Sequence, residues 1–275
     1  MENPKGYVNA DPLVTSTWLF EHRGDAGLLI VDTRPREDYE KDHIPGALHH
    51  DPYPYHVTDT GPEGVAGFQK QMEEILDGLG LRPQSTVVCY EEISGMRATR
   101  FLWVLEYLGH SKVKLLDGGL AAWKAHEFPV SREIPKPQTG AFKLEPCEPV
   151  LATYQDFLDR MRRPGVVFLD VRRDSEYRGT EARSARGGTI PGSIHLEWTH
   201  NLNQDGTFKN AEELRRLYET RQVTPDKEIL VYCHGGYRSA NTFMALKLLG
   251  YPRVRNYLGS WGEWGNRSDL PIEIP

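Results

Sequence analysis

The same unit occurs twice along this 275-residue chain, so its fold must accommodate two related copies. Leu28 to Val31 and Val166 to Leu169 are apolar runs leading into Asp32-Thr33-Arg34 and Asp170-Val171-Arg172. An acidic turn with tyrosine follows each run, Glu37-Asp38-Tyr39 and Ser175-Glu176-Tyr177, and then Ile-Pro-Gly, at Ile44-Pro45-Gly46 and Ile190-Pro191-Gly192. Further on, an offset of 141 residues pairs Arg97 with Arg238, Gly109 with Gly250 and Trp123 with Trp264. A repeat far longer than the roughly 20–50 residues of a solenoid unit is a duplicated domain, not a stacked array. Pro135, Pro137, Pro146 and Pro149 punctuate a stretch without periodicity, which reads as an ordered surface linker. The expected division is therefore one domain at 1–130, a linker at 131–150 and a second domain at 151–275.

Within each half, β-rich apolar runs alternate with helical patterns. In the second, Leu214, Leu217 and Tyr218 recur at helical spacing within 211–222, as do Phe243, Met244, Leu246, Leu248 and Leu249 within 240–249. Such alternation predicts an α/β fold in which each domain is a parallel sheet with helices on both faces. In sheets of that kind ligands sit beyond the carboxyl ends of the strands.

Apolar residues make up 39% of the chain and charged residues 26%, enough to give both halves a core. A net charge of −6 and a pI near 5.9 leave no basic footprint for nucleic acid. No apolar run approaches the ~18 residues of a membrane helix, and the opening Met1-Glu2-Asn3-Pro4-Lys5-Gly6 lacks the apolar centre of a signal peptide. The expectation is a soluble cytoplasmic protein. Three cysteines, an odd count without a CxxC pair, signal neither a disulfide framework nor a zinc site. Cys89 closes an apolar run and reads as core, and Cys147 sits between acidic residues that disfavour a thiolate.

Cys233 differs from both. It follows the apolar run Glu228 to Tyr232 and precedes a helical pattern, so its sulfur would stand above a helix start and several backbone N–H groups. In such a field a cysteine pKa falls from about 8.5 to roughly 3.5–7.5, which makes the sulfur a nucleophile near neutral pH. Gly235 and Gly236 permit the cramped backbone that the turn needs. Arg238 opposes the helix dipole in the first turn, and its planar fork suits an oxyanion. The alternatives are a buried structural cysteine and a surface arginine.

These residues resemble the rhodanese family of sulfurtransferases in its tandem two-domain form. The resemblance rests on the paired Asp-x-Arg runs, on Asp42-His43-Ile44-Pro45-Gly46-Ala47 with Gly188-Thr189-Ile190-Pro191-Gly192-Ser193, on the Cys233–Arg238 loop and on Gly259-Ser260-Trp261-Gly262-Glu263-Trp264. It implies a catalytic second domain and a degenerate first one. By the offset of 141, Glu92 takes the place of Cys233, so the first loop has no nucleophile and its domain would serve as a wall of the cleft. Trp198, Tyr237, Trp261 and Trp264 are candidates for the apolar lining, against the alternative of plain core for all but Tyr237, which lies inside the loop.

The implied chemistry is transfer of the outer sulfur of thiosulfate to Cys233 and then, from the persulfide, to a thiophilic acceptor such as cyanide or a thiol. No cofactor or metal is called for. The candidate substrate-binding residues are His234, Gly235, Gly236, Tyr237 and Arg238, with Arg178, Arg183 and Arg186 either steering a dianion toward the cleft or forming a solvated face. Whether His234 also moves a proton is left open. Asp32, Arg34, Asp170 and Arg172, present in both halves, read as scaffold. Competing readings are a 3-mercaptopyruvate donor, a phosphatase on the same fold and a carrier handing its persulfide to an acceptor protein. Phosphatases on this fold place five residues between cysteine and arginine, and this loop has four.

Overall fold

A computed structural model describes residues 4–275, so Met1–Asn3 of the polar opening lie outside the described residues. The first repeat forms strands β1 (Leu13–Val14), β2 (Leu28–Asp32), β3 (Leu48–His49), β4 (Thr86–Tyr90) and β5 (Val113–Leu116). Its helices are α1 (Ser16–His22), α2 (Arg36–Lys41), α3 (Pro62–Gly78), α4 (Met96–Tyr107) and α5 (Gly119–Ala125). In the second repeat the strands are β6 (Leu151–Ala152), β7 (Val166–Asp170), β8 (Ile194–His195), β9 (Glu228–Tyr232) and β10 (Val254–Tyr257). Its helices are α6 (Tyr154–Arg160), α7 (Asp174–Tyr177), α8 (Ala211–Glu219), α9 (Arg238–Leu248) and α10 (Ser260–Trp264).

Each repeat makes one five-stranded sheet, ordered β1-β5-β4-β2-β3 and β6-β10-β9-β7-β8, with every pairing parallel. The central strands read as near-continuous apolar runs because both of their faces are covered. The register sets Asp32 opposite Tyr90 and Asp170 opposite Tyr232, which brings the two Asp-x-Arg motifs to the carboxyl edges. There Arg34 and Arg172 fold back on Asp32 and Asp170 at 2.7 and 2.6 Å, the scaffold role expected of them.

Nearly every residue of α4 and α9 is buried, consistent with helices that face the core all round. They pack against one another between the two sheets, where one apolar cluster runs through both domains, and each sheet has a further cluster on its other face. Lys247 meets Glu106 at 2.5 Å, and these residues occupy equivalent positions at the offset of 141. Equivalent residues touching across an interface mark a local two-fold relation between the halves. Residues 132–147 carry no regular helix or strand and run along the first domain, held where Ala141 N–H donates to Leu81 and Glu145 N–H to Leu108. Among the described residues, no helix is long and apolar enough to cross a membrane.

Candidate active site

Cys233 follows directly on β9 and is 1% exposed. The loop that carries it is braced from behind. Its backbone N–H donates to Ser260 Oγ at 3.2 Å, and Trp261 and Gly262 donate their N–H groups to the carbonyls of Cys233 and His234 at 3.0 and 2.6 Å. Ser260 does this from positive φ (51°), the region that Gly119 occupies at the equivalent site of the first domain. With these carbonyls engaged by α10, the Ser239 hydroxyl reaches Sγ at 3.5 Å, joined by the N–H groups of Ser239 and Gly235.

These contacts decide the charge on the sulfur. Burial alone pushes the Cys233 thiol up, but Arg238, the Ser239 hydroxyl and the amides of Ser239 and Gly235 outweigh it, leaving the pKa below that of an ordinary thiol. Cys89, equally buried without such donors, is pushed far up, and Cys147 is raised by burial and Glu106. Burial, Arg183 and Arg238 lower His234 to about 4, so its imidazole is neutral at pH 7.

Gly236 holds φ at +80°, and a Cβ there would lie 2.7 Å from Arg100 Nη1 and 3.0 Å from the Leu258 carbonyl. Gly236→Ala is therefore expected to cost roughly 1–3 kcal/mol of stability and to lower turnover at least about tenfold by displacing the loop. Thermal unfolding and steady-state rates of the variant check this; wild-type values for both would show that the loop tolerates a side chain.

The structure alters the expectation for Arg238. Its fork is not open to an oxyanion: Nη1 and Nη2 donate to Glu176 Oε2 and Oε1 at 2.6 and 2.9 Å, and both side chains are buried. The arginine that faces the helix dipole is thus balanced by a protein carboxylate. Arg183, 42% exposed and 3.9 Å from the same carboxylate, is left as the freer cation beside Cys233. Arg178 is turned away and pairs with Asp174 at 2.9 Å, and Arg186 spends its donors on the carbonyls of Leu270 and Trp264. The steering cluster therefore separates, with Arg183 alone of the three lining the cleft.

That cleft has a volume of about 250 Å³, small enough to favour a compact ligand. Trp198 lines it as expected, whereas Trp261 and Trp264 lie in the core beneath. The first domain supplies Tyr53, His56 and Met96, contributions that no sequence pattern announced. Tyr237 lines the cleft but also ties the domains together, its hydroxyl donating to the Pro52 carbonyl at 2.7 Å. Thr60 adds a second tie through Glu263, at 2.8 Å from its N–H and 2.7 Å from its hydroxyl.

In the first domain the residue equivalent to Cys233 is Glu91, not Glu92. Tyr90 accepts the Ile44 N–H as Tyr232 accepts that of Ile190, and Leu120 N–H donates to Glu91 as Trp261 N–H does to Cys233. One additional residue lies between Glu91 and Arg97 than between Cys233 and Arg238, which shifts the offset from 141 to 142 at the strand end. Glu91 Oε1 accepts the N–H groups of Arg97 and Ala98 at 2.6 and 3.1 Å, and Ala98 is the counterpart of Ser239. A carboxylate thus fills the place that sulfur holds next door. Among the described residues, no group of three or more His, Cys, Asp or Glu side chains is arranged to hold a metal ion.

A rhodanese-like domain model matches residues 15–126 and again 153–267. Thiosulfate sulfurtransferase of Azotobacter vinelandii is 36% identical over 247 residues, covering 90% of this chain and 91% of its own. Sulfur carrier protein TtuD of Thermus thermophilus is 34% identical over 285 residues, covering 97% and 98%. Among solved structures, the anaerobic ergothioneine biosynthesis enzyme from Chlorobium limicola shares the fold with a TM-score of 0.87 at 22% identity, over 98% of this chain and 71% of that one. With both repeats matched and the duplication visible in sheets, helices and loops alike, the chain belongs to the rhodanese family, carrying two rhodanese-like domains in tandem.

Proposed function

We propose that the protein is a thiosulfate sulfurtransferase whose nucleophile is Cys233. The observation that carries this reading is the buried sulfur held by Ser239 and Gly235 in a loop with four residues between cysteine and arginine. The thiolate attacks the outer sulfur of thiosulfate, a new S–S bond forms, and sulfite departs with the electron pair of the bond that breaks. Cyanide or a thiolate then attacks the terminal sulfur of the persulfide, giving thiocyanate or a new persulfide and restoring the Cys233 thiolate. Charge is conserved in both steps, and two half-reactions through one covalent intermediate mean ping-pong kinetics.

The donors at Sγ are fixed before reaction and serve thiolate and persulfide alike. Arg183 attracts the dianionic donor, His234 and Tyr237 shape the cleft, and Gly235 and Gly236 allow the loop its close approach to the first domain. A cytoplasmic setting belongs to the same reading, since a thiol nucleophile persists where thiols stay reduced. The name of the Thermus relative supports a protein acceptor as a further partner.

Steady-state assays with thiosulfate and cyanide are expected to give thiocyanate with parallel double-reciprocal lines, and lower kcat/KM with 3-mercaptopyruvate. Phosphate release from an aryl phosphate without thiocyanate formation would overturn the assignment. Slow transfer from every small donor, with rapid transfer to a protein thiol, would replace it with the carrier reading.

A further inference from the structure

Arg100, in the middle of α4 of the first domain, is 1% exposed. Its Nη1 donates weakly to the Gly236 carbonyl at 3.4 Å, and its Nη2 is buried without a hydrogen-bond partner among the described residues. No described carboxylate pairs with it; the rings of Trp103 and Tyr237 lie 4.8 and 5.0 Å from its guanidinium carbon. An uncompensated buried cation costs several kcal/mol, so a negative charge close by must offset it.

The other charged groups around Cys233 are balanced or screened. Arg238 lowers the Cys233 pKa from close by, but paired with Glu176 it adds no net charge to the site, and Arg172 is paired with Asp170 in the same way. His234 is neutral, and His56 is shifted the same way by burial, Arg100 and Arg183. Tyr237 stays protonated, its pKa pushed up to about 12. Arg183 is partly in solvent, where its field is screened, Arg173 is likewise half exposed and paired with Glu176 and Glu181, and Glu197 brings a negative charge to the cleft lining. Arg100 is left as the net positive charge buried beneath the loop, so close that a Cβ on Gly236 would lie 2.7 Å from its Nη1, and while burial works against its charge, Tyr237 and Cys233 favour it.

The geometry points to Arg100 as the buried counter-charge of the Cys233 sulfur anion, a positioning residue that the domain without a nucleophile contributes to its neighbour's catalytic loop. It acts through the Gly236 carbonyl and through space, without touching substrate. This inference deepens the proposed function and rests on it.

The test uses Arg100→Met, which keeps the length of the side chain and removes its charge, and Arg100→Lys, which keeps the charge. The rate of Cys233 alkylation by iodoacetamide is followed against pH in the full-length protein. The midpoint in the methionine variant is expected to rise by roughly one pH unit, with kcat/KM below the wild-type midpoint falling about tenfold. The melting temperature should hold or rise, because a charge without a partner has left the core. Lysine should bring the midpoint back toward wild type. A methionine variant with the wild-type midpoint overturns the inference, as does a raised midpoint that comes with a lower melting temperature and is not reversed by lysine. Failure of the underlying reading looks different, for the wild-type protein itself would then lack a lowered midpoint.

Discussion

Cys233→Ser is expected to lose sulfur transfer by a factor on the order of 10³ or more while the protein remains folded. The donors at Sγ stabilise a thiolate, and they cannot bring a serine hydroxyl into its ionised range at neutral pH. Serine is the smaller residue, and both Ser239 Oγ and the amide of Gly235 remain beside it as partners. The stability change should therefore stay near 1 kcal/mol, the scale of one hydrogen bond gained or lost. Cys89→Ser serves as the control: its thiol is buried in the first domain's sheet and pushed up by burial, so turnover should be retained although stability falls. Thiocyanate formation and thermal unfolding, measured on both variants, check the pair. Activity retained in Cys233→Ser would move the nucleophile elsewhere.

Glu176→Gln should produce the largest loss of stability, roughly 3–5 kcal/mol, because it leaves Arg238 charged and buried with half of its fork unsatisfied. For a chain of this size that is a fall of about 10 °C in melting temperature. Turnover should drop as well, since Arg238 opens α9 immediately behind the sulfur and helps to keep it ionised. The effect has a pH signature. Burial works against the Glu176 charge, but the forks of Arg238 and Arg173 override it and hold the carboxyl at about 2, below its ordinary 4.5. A carboxyl depressed on folding contributes its full stability above the ordinary pKa and loses it as pH falls through the folded one. The gap between wild type and Glu176→Gln should therefore be wide at pH 7, narrow below about 4.5 and close near 2. Melting curves over that range read it directly; a constant gap would place the cost in packing.

The duplication carried most of what the sequence could say about architecture. Two copies of Asp-x-Arg and Ile-Pro-Gly in one order led to two parallel sheets, because strand-end residues recur wherever the same strand recurs. The Cys233 loop was equally legible, as its glycines and flanking patterns are local. The offset of 141 holds from Arg97 to Trp123 but not upstream, and carrying it back across the one inserted residue of the first loop makes Glu92 look equivalent to Cys233 although the strand register gives Glu91. From sequence Arg238 reads as an open clamp because its partner lies 62 residues earlier, in the acidic turn Ser175-Glu176-Tyr177. Nothing local joins those two segments. Tyr53, His56 and Arg100 went unseen for the same reason: contacts between domains leave no period in either. Trp261 and Trp264, which the sequence offers as either cleft lining or plain core, are core residues of the second sheet's outer face.

The central claim is that Cys233 carries sulfur as an anion held by its own loop. Intact-mass spectrometry of the purified protein after incubation with thiosulfate tests it most directly. The expected result is a gain of one sulfur atom mapped to the Cys233 peptide, sulfite released in equal amount, and the added mass removed by cyanide as thiocyanate. An unchanged mass in a protein that still forms thiocyanate, or sulfur mapped to Cys89 or Cys147, would contradict it.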